Sequence, residues 1–214
     1  MNEDIEQIIK IAEDFMYKRK LLEHKSSYSV IITSIKATMF ERSQDTEEHA
    51  KRLIALTKEI GMKLNLSQIE LDELELLATL HDIGKVGIDD KILNKPGKMT
   101  GDEWIEMKKH PEIGYRIAMS VPELVPIAEY ILSHHEHWDG NGYPQGLKGQ
   151  EIPLISRVLT IVDAYDAMIQ DRIYRKAMTK EAAIAEIMKN AGTQFDPNIA
   201  KIFIENVVNM RKDS

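Results

Sequence analysis

Apolar residues recur along most of this chain at intervals of three and four, and nowhere alternate as a half-buried strand requires. Residues 3 to about 24 put Ile5, Ile8, Ile9, Ala12, Phe15 and Met16 on one helical face. The period predicts further helices over about 27–41 and 44–60, the second closed by Gly61. Ser67 to Glu70 has capping-box form and opens a helix that runs to His81-Asp82. Thr100 to Glu103 repeats the device for a helix ending near His110-Pro111. Pro122 should start a helix running to His134-His135, and Pro153 one carrying Ile155 to Met168. Thr179 and Asp196-Pro197 open the last two, with Gly192 between them. Three long stretches, 84–99, 136–152 and 170–178, escape the helical period, and loops of that length in a helical domain tend to carry function. The expected fold is all-α.

Several apolar stripes end in a polar residue that points the same way. His49 lies one turn before Leu53, Leu56 and Ile60, and Leu74 and Leu77 lead to His81. Ile127 and Ile131 lead to His134 and His135, and Ile155 and Leu159 lead to Asp163. One inward histidine is most often a hydrogen-bonded core residue. Four helices doing this together, one of them with a carboxylate that costs several kcal/mol to bury alone, argue for convergence on a cation. His110 at a helix end, Asp82 beside His81, and Asp45 one turn before His49 extend the set. Five imidazoles exceed what one open catalytic ion takes, so two ions bridged by a carboxylate use them better, and Asp82 suits the bridge.

Composition narrows the chemistry. The 214 residues hold no cysteine, so any metal is held by nitrogen and oxygen, which suits Fe, Mn, Co, Ni or Zn better than Mg. A net charge of −7 argues against DNA as a partner, though not against a small phosphorylated ligand met by local cations. The apolar stretch around Val30 to Phe40 is broken by Ser34 and Lys36 and is too short to cross a bilayer. The amphipathic, acidic N-terminus is unlike a signal peptide, so the expected location is the cytoplasm.

His81-Asp82-Ile83-Gly84-Lys85, with His49 before it and Asp163 after it, resembles the HD phosphohydrolase pattern. The segments HHEHWDGNGYP (134–144), KKHPEIGYRI, IVDAYDAM and DRIYR narrow the resemblance to the HD-GYP group, over about residues 40 to 205. That resemblance implies an HD-type helical bundle with a long GYP-containing loop. It implies metal-dependent hydrolysis of the bacterial second messenger cyclic di-GMP to pGpG, with GMP as a further product. By position, His49, His81, Asp82 and Asp163 match the HD metal quartet, and His110, His134 and His135 complete a second ion. Asp45 falls where some members carry a glutamate that admits a third ion. Lys85, with Asp82 in the catalytic pair, matches the lysine that meets the scissile phosphate, and Arg172 and Arg175 match the basic residues that meet the nucleotide. Tyr143, an aromatic in the loop after the paired histidines, is expected from the residues themselves to line the nucleotide pocket. Ile173 replaces the proline usual in the DRPYR-type segment. Two divalent ions are expected, Fe or Mn first.

The expected domains are 1–40, a helical linker or dimerisation segment, and 41–214, the phosphodiesterase domain. An upstream sensor domain, a diguanylate cyclase (GGDEF) partner and a homodimer are the expected associations. Two alternatives stay open. One is a phosphodiesterase for another cyclic dinucleotide, and the other is a non-catalytic receptor or docking module that binds nucleotide or a cyclase. Degenerate members would be expected to lose metal ligands or the lysine, and this chain keeps them all.

Overall fold

The computed structural model describes residues 30, 32–42, 46–171 and 176–208, and among them every regular element is helical. The chain divides into two units, residues 1–38 and 39–214, and the second contains the main hydrophobic core. The expected helix over 3–24 lies outside the described residues, while residues 32–42 form a helix, α1. Then come α2 (Glu47–Lys63), α3 (Gln68–Leu80), α4 (Asp90–Leu93), α5 (Gly101–Met107) and α6 (His110–Ser120). Next are α7 (Ala128–Ser133), α8 (Leu154–Ile169), α9 (Lys180–Lys189) and α10 (Pro197–Phe203). α10 continues through a π-helical turn, Ile204–Val208. No described helix is long and apolar enough to cross a membrane.

The helix starts reflect local chemistry. Ser67 and Thr100 each accept from the backbone N–H three residues on, and Glu70 and Glu103 return the bond to the cap residue. Thr179 and Asp196 cap α9 and α10 through their own side chains, without the returning glutamate. Three expectations need correction. Gly61 does not end α2, which runs to Lys63 before Asn65 takes the left-handed turn at φ 56°. Gly61 instead admits the side chain of Leu71, whose Cδ2 would lie 2.6 Å from an added Cβ. His110-Pro111 starts a helix rather than ending one, because a first-turn proline loses no hydrogen bond. Pro122 lies in a turn, and the helix towards His134 begins only after a 3-10 turn at Val125–Ile127.

α2 packs on both α3 and α8, and α6 on α7, so the apolar stripes meet in one core around Leu53, Leu77, Ile131, Leu159 and Phe203. Each such side chain contributes about 1.5–3 kcal/mol on burial. The same stripes carry the histidines inward. Between α3 and α4 the chain makes a 3-10 turn, Ile83–Gly87, that presses backbone to backbone on the start of α6. A Cβ on Gly84 would lie 1.8 Å from the His110 carbonyl oxygen and 2.5 Å from the Gly114 nitrogen. This contact sets Asp82 and Lys85 beside His110.

Gly84→Ala should therefore destabilise the protein by at least about 2 kcal/mol, as measured by denaturant midpoint. Gly101→Ala, at a position with open space around it, should not destabilise it. Equal stability of the two variants would contradict the close-approach account.

Candidate metal centre

Six elements deliver the converging side chains. His49 sits in the first turn of α2, where its N–H caps onto Thr46 Oγ1. His81 ends α3, and Asp82 opens the 3-10 turn that carries Lys85. His110 is the first residue of α6, His134 the cap after α7 with His135 next, and Asp163 lies on α8. They form two groups whose donor atoms lie within 4.8 Å of one another: His49, His81 and Asp163, and Asp82, His110, His134 and His135. Asp82 joins them. Its Oδ2 is 3.2 Å from His81 Nε2, and its Oδ1 is 3.2 Å from His110 Nε2 and 4.0 Å from His134 Nε2.

The hydrogen bonds on the far side of the rings decide what the near side offers. His110 Nδ1 is 2.9 Å from the Met107 carbonyl and His134 Nδ1 is 2.6 Å from that of Ile131. A carbonyl can only accept, so each Nδ1 carries the hydrogen and a neutral ring leaves Nε2 as a lone pair. Those two Nε2 atoms face each other at 3.3 Å. A hydrogen bond between them would need one ring charged, and burial, reinforced by His135 and His110, holds His134 well below its ordinary value. Burial, then His110, likewise lowers His135 to about 3. The same pattern appears across the centre. His49 Nδ1 donates to Asp166 Oδ2 at 2.8 Å, so in the neutral ring the Nε2 lone pair faces Asp163 Oδ1 at 3.5 Å. Electron-pair donors aimed at each other in two places fit a divalent ion in each group.

Charge in the centre is finely matched. Burial opposes ionisation of Asp82, but the Lys85 ammonium 2.7 Å from Oδ2, with His81, outweighs it and keeps the carboxyl well below its usual range. Asp166, a residue the sequence pattern did not single out, is buried and takes two bonds from Arg52, at 2.6 and 2.9 Å, besides that from His49. Burial works against its charge, and the bonds from His49 and Arg52 win. Its signal was available: Asp166 lies three residues after Asp163 on α8 and so shares its face.

The GYP loop is organised by Glu136. Its buried carboxylate accepts the backbone N–H groups of Gln145 (2.6 Å), Gly146 (3.1 Å) and Leu147 (3.1 Å). Gly142 passes so close that an added Cβ would lie 2.2 Å from the His137 nitrogen. The turn contains a cis Tyr143-Pro144 bond. Tyr143 is stacked on His135, with centroids 4.9 Å apart and planes at 27°. Trp138 and Asp139 N–H groups bond to the Gln194 and Thr193 carbonyls, which ties the loop's outer edge down.

A cleft of about 480 Å³ opens over both groups, lined by His49, Arg52, Asp82, Lys85, His135 and Asp163, with Trp104 and Tyr143 on one wall. That volume suits a small-molecule ligand. Of the predicted site residues, His49, His81, Asp82, Lys85, His110, His134, His135, Tyr143 and Asp163 come together here. Asp45, Arg172 and Arg175 lie outside the described residues.

An all-α domain whose helices converge on two histidine–carboxylate groups beneath one cleft matches a known family. A sequence profile of the HD domain matches residues 29–199, and the chain belongs to that family. It is 39% identical over 166 residues to a cyclic di-GMP phosphodiesterase of Thermotoga maritima, covering 77% of this chain and 45% of that protein. It is 32% identical over 207 residues to a 3'3'-cGAMP-specific phosphodiesterase of Vibrio cholerae, covering 92% of this chain and 40% of that one. A solved cyclic GMP-AMP-specific phosphodiesterase of V. cholerae superposes with a TM-score of 0.63 at 25% identity, over 85% of this chain and 49% of the other. The chain thus spans less than half the length of each of these relatives. The HD family and the histidine–aspartate groups together point to divalent metal binding.

Glu136→Ala should remove three charge-assisted hydrogen bonds, cost about 3 kcal/mol or more, and open residues 137–148 to limited proteolysis. A variant with wild-type stability and an equally resistant loop would show that Glu136 does not hold the turn.

Proposed function

We propose that residues 41–214 form a metal-dependent phosphodiesterase domain that hydrolyses a cyclic dinucleotide, with cyclic di-GMP as substrate and pGpG, then GMP, as products. The observation that carries this reading is the pair of opposed lone-pair contacts, His110 with His134 and His49 with Asp163, both at the floor of one ligand-sized cleft. Relatives named as cyclic di-GMP phosphodiesterases support the substrate. The 3'3'-cGAMP-specific relative supports a second substrate reading, in which one guanine is replaced by adenine.

In this reading His49, His81 and Asp163 would hold one ion and His110, His134 and His135 the other, with Asp82 shared between the two groups. Fe or Mn is the expected metal. Asp45 would serve a third ion. When bound, divalent ions supply Lewis-acid stabilisation of phosphate charge and a water acidified towards neutrality. The chain's own groups do the rest. Neutral His134 and His135 present lone pairs at physiological pH without first losing a proton. Lys85 balances Asp82 until substrate arrives and then gives hydrogen bonds to a non-bridging phosphate oxygen, where charge grows in the transition state. Arg172 and Arg175 bind the nucleotide, and Tyr143 lines the pocket beside His135. Asp166 fixes the tautomer of His49 and raises its basicity as a ligand. An upstream sensor segment or a diguanylate cyclase would be the regulatory partner.

The test joins metal analysis to chromatography of cyclic di-GMP after Fe or Mn loading. The reading expects about two ions per chain and appearance of pGpG. Asp82→Ala should lose metal and turnover together, whereas Lys85→Ala should keep its metal and lose about 100-fold in kcat. Full metal and full turnover in Asp82→Ala would sink the bridge. Asp166→Asn should weaken metal binding about 10- to 100-fold by competition with a chelator, and unchanged affinity would remove its role.

A further inference from the structure

We propose that Trp104 is the stacking platform for a purine base of the bound nucleotide, an inference that rests on the cyclic-dinucleotide reading above. Trp104 lines the cleft yet keeps 47% of its surface exposed, an unusual state for the largest apolar side chain in a helical domain. It stands on the cleft side of α5. Met107, three residues on, shares its face and lines the same wall, while Ile105 points elsewhere.

The platform is held firmly. α5 is fixed at its start by the Thr100–Glu103 capping box, and Lys95 Nζ clamps both Glu103 oxygens at 2.8 and 2.6 Å. Beneath it Ile88, Leu93 and Met107 form a separate small core, joined by Met99. The indole is therefore exposed by construction and not through a loose helix. Its plane stands at 78° to Tyr143 with centroids 6.4 Å apart, so the two rings are not stacked on each other. Tyr143 in turn stacks on His135 at 4.9 Å. Two ring steps beyond the metal-facing His135, past Tyr143, thus lies an uncovered aromatic surface for a base whose phosphate sits at the centre. Lys108 Nζ, 5.7 Å from the Tyr143 centroid, adds positive charge along that path. Base–indole stacking is tolerant of base identity, so this platform admits guanine or adenine and leaves the choice between them to hydrogen bonds elsewhere.

Two experiments on the full, Mn-loaded chain test this. In the first, Trp138→Phe leaves Trp104 as the sole tryptophan, and its fluorescence is monitored with GMP and with ribose 5-phosphate. Stacking predicts quenching by GMP and none by the base-free phosphate. Equal responses to the two, or no response to GMP, overturn it. In the second, Trp104→Ala should raise KM for cyclic di-GMP at least about fivefold with kcat changed less than about twofold, and Trp104→Phe should restore most of the affinity. An unchanged KM in Trp104→Ala overturns the platform while leaving the phosphodiesterase reading intact. Quenching by GMP in the Trp138→Phe chain, together with no hydrolysis of any cyclic dinucleotide by the wild-type chain, supports the platform and sinks the phosphodiesterase reading.

Discussion

Two imidazole nitrogens, His110 Nε2 and His134 Nε2, point at each other across 3.3 Å inside the protein, and each ring's other nitrogen is committed to a main-chain carbonyl. With both rings neutral, that arrangement is unfavourable unless a cation lies between the lone pairs, and the packing of α6 on α7 produces it. The helices α6 and α7 begin or end where their histidines stand, and the main-chain carbonyls that fix the rings belong to Met107 at the end of α5 and Ile131 in α7. Asp82 adds the charge that a divalent ion needs, at a cost that burial alone would make prohibitive. Lys85 offsets that cost from within the same turn.

The two groups are oriented by different means. His110 and His134 lean on neutral carbonyls, whereas His49 leans on the carboxylate of Asp166, itself anchored by Arg52. A carboxylate partner makes an imidazole a stronger donor. His49 is thereby a stronger donor than His110 or His134. Around this asymmetric floor the walls also differ. One is polar, built from Arg52, Asp163 and Asp166, and the other is apolar and aromatic, built from Trp104, Met107 and Tyr143. A ligand with a charged end and a flat apolar end fits that division.

Much of this was legible in the residues because helical periodicity is a local signal. The stripes through Leu53, Leu77, Ile131 and Leu159 determined which way His49, His81, His134 and Asp163 point, and capping boxes at Ser67 and Thr100 marked two helix starts. The misreadings share a cause. Gly61, His110-Pro111 and Pro122 each carry residue types with two uses, and tertiary packing chooses between them. Gly61 makes room for Leu71, and nothing within its own helix announces that. Asp166 and Glu136 were harder because their partners are distant or are backbone groups. Asp166 bonds residues more than 110 positions earlier, and Glu136 bonds N–H groups that every loop possesses. Trp104 stands out only once the cleft is seen, since an exposed tryptophan and a core tryptophan look alike in sequence.

The central claim is that these opposed donors hold two ions, and anomalous diffraction from crystals grown with Mn2+ tests it most directly. Two peaks are predicted, one among His49, His81 and Asp163 and one among His110, His134 and His135, with an Asp82 oxygen turned towards each. A single peak, or peaks only at surface carboxylates, would contradict the account.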